Sequence, residues 1–148
     1  MPRIVRPMKK DPKDGLPVVD TRANCLGARI VGRVVDVDID PAGNVVVNRK
    51  GLSVSKCWRT LIAMGLGHLV PEELDDGQNG ASGKNMAVYV HGSGSGPFAQ
   101  GAVAAGLEMC FKTGSTDTGV VCPVACVTIA QYQADLAATR VDWVEDPS

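Results

Sequence analysis

Residues 106–143 limit the possible folds of this chain more than any other stretch. Leu107, Met109 and Phe111 alternate with Glu108, Cys110 and Lys112, and a period of two is the signature of a strand with one buried face. Thr113-Gly114-Ser115-Thr116-Asp117 is turn chemistry, with Gly free to take positive φ and Ser and Asp able to bond nearby backbone. Gly119–Val127 is apolar and β-rich, with Pro123 inside it. Proline has no N–H to give a ladder, so the spacing predicts a strand that is at an edge or bulged there. Thr128-Ile129-Ala130-Gln131 then reads as a capping box: the Thr128 hydroxyl accepts from the Gln131 amide, and the Gln131 side chain reaches back to the Thr128 amide. Ile129, Tyr132, Leu136 and Trp143 follow as the buried stripe of a closing helix over about 129–141.

The remainder must supply the other layers of one domain, since 148 residues suffice for a single core. Aromatics make up only 4% of the chain, so that core is built from Val, Ala, Leu and Ile, a mixture that favours strands. The expected class is α+β: a mixed, mostly antiparallel sheet with two main helices. A net charge of −1 argues against a whole-domain electrostatic grip on nucleic acid. No apolar run is long enough to cross a bilayer, and the N-terminus lacks the apolar core of a signal peptide. The expectation is synthesis in the cytoplasm without a signal peptide, with secretion by another route open. The five cysteines, Cys25, Cys57, Cys110, Cys122 and Cys126, have neither disulfide-framework nor zinc-motif spacing. They read as small buried or half-buried thiols, and no metal site is expected.

Residues 1–15 carry Arg3, Arg6, Lys9, Lys10 and Lys13 with three prolines. They read as a basic, extended, solvated arm, the one place where nucleic acid has a foothold. Residues 16–148 read as the globular domain. Strands are expected near 25–31, 34–39 and 45–47, the last two forming a hairpin through Asp40-Pro41-Ala42-Gly43-Asn44. Asp36, Asp38 and Asp40 line one face of that hairpin, but Pro41 and Val47 occupy the loop positions where a calcium-binding EF-hand needs Gly and Glu. Ser53 and Ser55 share a face of a short strand, and Ser55 is placed to cap a helix over 56–66 whose stripe is Trp58, Leu61, Ile62 and Leu66. Residues 75–83 read as a loop without periodicity. The strand over 86–91 leads into Gly92-Ser93-Gly94-Ser95-Gly96-Pro97, which matches neither a Walker A loop nor a nucleophile elbow and is poor for a Rossmann turn.

Gly51, Ser53 and Val54, then Leu107, Pro123, Tyr132 and Leu136, occur in an order that resembles the small cytostatic toxins of type VI secretion, whose fold is similar to ADP-ribosyltransferases. The resemblance covers about residues 26–143. It implies a secreted bacterial toxin or effector that uses NAD, and an immunity or chaperone protein that covers its cleft. It implies that Arg29, or Arg33, holds the NAD phosphates, that Ser53 and Ser55 brace the nicotinamide pocket, and that Glu108 is the catalytic carboxylate. Two positions depart from the pattern: Thr118 stands where the family carries His, and the strand over 119–127 has no Glu. A second reading is a non-catalytic protein-binding or assembly module, favoured by the few histidines and aromatics.

Overall fold

The computed structural model describes residues 2–69, 85–92 and 96–145, so the expected loop over 75–83 and residues 93–95 of the Gly-rich run lie outside the described residues. The class is α+β. Seven strands, β1 (Val5–Lys9), β2 (Leu52–Ser55), β3 (Met86–His91), β4 (Gly101–Ala104), β5 (Leu107–Phe111), β6 (Thr118–Pro123) and β7 (Trp143–Glu145), form one sheet in the order β4-β5-β6-β2-β1-β3-β7. All six pairings are antiparallel. The α-helices among the described residues are α1 (Trp58–Ala63) and α2 (Ile129–Ala138).

The hairpin and its helix follow the pattern of the sequence. Leu107 and Met109 are buried beneath α2 together with Tyr132, Leu136 and Trp143. Pro123 pairs with Leu107 on one side, while the β2 ladder on the other side ends at Val121 opposite Leu52. The proline thus sits where only one neighbour is left to satisfy. Thr128 accepts from the Gln131 amide at 3.1 Å, but the Gln131 side chain turns forward to Asp135 rather than back, so half of the capping box forms.

Three expectations are corrected. Residues 5–9 are not a solvated arm: they are β1, between β2 and β3 and buried along most of their length. Residues 25–50 contain no regular strand. The segments near 25–31, 34–39 and 45–47 are irregular, tied by isolated bridges such as Ile39–Val45 and by Gln133, whose amide grips both backbone groups of Ala28. Their apolar residues Leu26, Ala28, Val37 and Val45 still reach the core, so burial was legible where the ladder was not. Ser55 lies in β2 and does not cap α1, whose N-cap is Cys57 with no side-chain bond to a helix amide.

β1 explains itself through Pro7. Lys9, on the same side of the strand, gives its amide to Asn24 O, so Pro7 presents its missing N–H toward β2. The β1–β2 ladder accordingly reduces to Val5 opposite Ser55. The Arg6 guanidinium fills the resulting gap, donating to Ser53 O at 2.8 Å and Cys25 O at 3.0 Å.

The candidate cleft

The two faces of the sheet differ because opposed residues of antiparallel strands point the same way. Leu52, Val121 and Met109 face α2, whereas Ser53, Val120 and Cys110 face the other side, with Ser55 and Thr118 one step along. Val5, Val88 and Val90 cover part of that second face with Trp58 and Leu61 of α1. The rest is open, and two hollows occupy it.

The first, of about 240 Å³, is lined by Arg6, Arg29, Ser53, Ser55, Lys112 and Thr118 together with Leu61 of α1 and apolar residues just after that helix. The second, of about 460 Å³, shares Arg29, Ser53 and Lys112 with it. Four cationic side chains line the second, Arg29, Arg49, Lys50 and Lys112, against one carboxylate, Asp36. On a chain of net charge −1 this is a concentrated positive field.

The electrostatics separate anchored cations from available ones. Asp36 accepts from the Arg29 amide at 2.6 Å and from its guanidinium at 3.3 Å, while the Asp36 amide donates to Arg29 O. That clamp closes the irregular segment and fixes Arg29 at the cleft wall with its side chain one-third exposed. Lys50 pairs with Asp38 at 3.0 Å. Arg49 donates to Gln100 Oε1 and Phe111 O, and Lys112 to Ser53 Oγ at 3.2 Å; neither meets a carboxylate among the described residues. Arg49 has φ 65°, a left-handed conformation that a side chain adopts at a cost of order 1–3 kcal/mol and that occurs preferentially at functional sites. Behind the wall, burial pushes the Arg6 guanidinium down to about 10 against the pull of Asp36, and its Nε finds no partner among the described residues.

Of the expected residues, Arg29, Ser53 and Ser55 line one hollow together. Ser55 is buried, and its hydroxyl reaches Val5 O at 3.5 Å. Arg33 is exposed and lines neither hollow. Glu108 lies on the cleft side of the sheet but also lines neither; opposite it stands Cys122, and Cys110 is its neighbour on that face. Burial, and then the adjacent Cys110 thiol, push the Cys122 thiol up to about 12. Lys112, Arg49, Lys50, Arg6 and Asp36 were missed as site residues. Lys112 alone had a signal, since the 107–112 alternation already puts it on the face away from Leu107.

Gly51 and Tyr132 tie β2 and β6 to α2. A Cβ on Gly51 would stand 2.2 Å from Val121 O. The Tyr132 hydroxyl accepts from the Leu52 amide at 3.0 Å and donates to Val121 O, stapling α2 to the two strands that floor the cleft. No known family, no curated protein and no solved structure matches the chain.

Proposed function

We propose that this cleft binds a phosphate-bearing ligand, that the ligand is NAD, and that the chain acts as a secreted toxin or effector similar to ADP-ribosyltransferases. The observation that carries the reading is the gathering of Arg29, Arg49, Lys50 and Lys112 around a hollow of about 460 Å³, with no carboxylate on Arg49 or Lys112 among the described residues. That volume is within the range of about 300–1,000 Å³ for small-molecule sites. In this reading Arg29 and Arg49 take the pyrophosphate through charge-assisted bonds, and Lys112 leaves Ser53 Oγ to join them. Ser53 and Ser55 brace the floor. Transfer of ADP-ribose needs a carboxylate near the ribose; Asp36 is the one in the cleft, and it already serves Arg29. The reading therefore rests on binding, and Glu108 has no part in the grip. A partner that covers the cleft, an immunity or chaperone protein, is part of the same proposal.

Calorimetric titration of the full chain with NAD, and with pyrophosphate in parallel, tests it. Arg29→Ala is expected to weaken NAD at least 10-fold, because a charge-assisted phosphate bond contributes about 1.5–3 kcal/mol. Failure of both ligands to bind removes the cleft from consideration. Binding of pyrophosphate alone keeps an anion site and removes NAD. Induced expression in bacteria tests the toxin element separately: unimpaired growth with NAD binding intact leaves a binding protein.

A second reading, a non-catalytic interaction module, is favoured by one observation. Val31 is 82% exposed and Val34 58%, on the irregular segment at the cleft rim. Light scattering and a pull-down separate this reading from the first: a monomer that retains no protein counts against it.

A further inference from the structure

The β5–β6 hairpin gathers two thiols and a carboxylate on the cleft-side face of the sheet. Glu108 stands directly opposite Cys122, and Cys110 is the next residue of β5 on that face. The Cys110 and Cys122 sulfurs are 3.6 Å apart, and Cys110 Sγ is 3.9 Å from Glu108 Oε1. All three donor atoms lie within 4.8 Å of one another. A tetrahedral zinc ion with Zn–S bonds of about 2.3 Å and a Zn–O bond of about 2.1 Å holds its sulfurs about 3.8 Å apart and each sulfur about 3.6 Å from the oxygen. The Cys110–Cys122 and Cys110–Glu108 separations are close to those values, and the third lies within 4.8 Å. The strand geometry favours an ion over a disulfide. Cys110 and Cys122 are diagonal, not opposed, and diagonal Cα atoms on neighbouring strands lie about 7–8 Å apart. A disulfide needs less than about 7 Å.

We infer that Cys110, Cys122 and Glu108 form a three-ligand site for zinc or a similar borderline-soft divalent cation, with the fourth position left to water. Two sulfurs and one carboxylate select this class over magnesium or calcium, which take oxygen. Cys122 is buried and is the inner ligand; Cys110 and Glu108 are half-buried and give the ion its approach. Each thiol passes its proton to solvent as its sulfur bonds the metal, so binding releases two protons and involves no redox change. The site is separate from the basic cleft and does not depend on what that cleft binds.

The test is a titration of the reduced full chain with Co²⁺, then Zn²⁺, against a chromophoric chelator. One ion per chain, a thiolate-to-cobalt charge-transfer band that Zn²⁺ removes, and tightening as pH rises are expected. Cys110→Ala should diminish the band and weaken Zn²⁺ by more than the roughly 10- to 100-fold that loss of an outer partner costs a metal site. Glu108→Gln should weaken Zn²⁺ yet keep the sulfur band, and Cys126→Ala should change nothing. Because Cys122 is buried, circular dichroism accompanies each variant, and the half-buried Cys110→Ala decides the matter if Cys122→Ala does not fold. No ion bound by the reduced wild type, or equal affinity in folded Cys110→Ala, overturns the inference.

Discussion

The two faces of this sheet are made by the same strands and do opposite work. On the α2 face, Leu52, Val54, Met109, Val121 and Tyr132 are buried in one apolar cluster. On the α1 face the alternate residues of the same strands are Ser53, Ser55, Cys110, Lys112 and Thr118, and only part of that face is covered. Stability is concentrated on one side and chemical options on the other. The strands β2, β5 and β6 are common to both.

That division is open to attack by substitution. The largest loss is expected from Gly51→Ala, because its Cβ meets a backbone oxygen that belongs to β6 and cannot simply swing aside. About 3 kcal/mol is expected, the upper end of ordinary overpacking, read as a lower chemical-denaturation midpoint. Tyr132→Phe keeps the ring and removes the hydroxyl, leaving the Leu52 amide and the Val121 carbonyl without that buried partner; about 2 kcal/mol is expected. If the division holds, NAD affinity per folded molecule is unchanged by Tyr132→Phe. Thr128→Ala, at the cap of α2, should cost about 1 kcal/mol, and an unchanged midpoint would show that the cap adds nothing.

A smaller effect is expected from pH. His91 packs edge-on against Trp143, and neither ring nitrogen has a partner among the described residues. Burial holds its pKa below the ordinary 6.5, with Asp142 opposing weakly. The unfolded chain therefore takes up a proton more readily than the folded one. The stability held by neutral His91 is complete above pH 6.5 and is lost as pH falls from there through the folded value. A denaturation midpoint flat between pH 7 and the depressed pKa would remove this account. The smallest stability change is expected on the wet side: Lys112→Gln should alter folding by less than about 0.5 kcal/mol while weakening pyrophosphate. A large stability loss there would break the contrast between the faces.

What could be read from the sequence follows the same divide. Periodicity reports burial, so the hairpin 107–123, α2 and its cap were legible, as were Trp58 and Leu61 of α1. The positions that shape the cleft were harder, because they obey pairing rather than periodicity. Pro7 argues against a central strand, and nothing local announces that the neighbouring Arg6 will take the carbonyl that Pro7 leaves unpaired. Residues 34–47 alternate like a hairpin yet form only an isolated bridge at Ile39–Val45, since Asp36 and Asp38 are drawn to Arg29 and Lys50. Arg29, Ser53 and Ser55 could be named in advance, but the cations around them come from segments far apart in the chain. Cys110 and Cys122 lie on opposite arms of a hairpin that was itself expected; their meeting depended on register, which the turn alone did not fix.

The central position of β1 also bears on biosynthesis. Val5 takes its main ladder from Val90, and β3 is in turn flanked by Trp143–Glu145. At about 5–20 residues per second, a ribosome needs several seconds to deliver that partner after Val5 has appeared. During this interval Ile4, Val5 and Met8, all destined to be fully buried, have no sheet to join. Such non-local pairing slows folding and leaves sticky segments exposed. For this chain, the interval between synthesis and closure of the sheet is when it is most open to aggregation and to capture by a holdase.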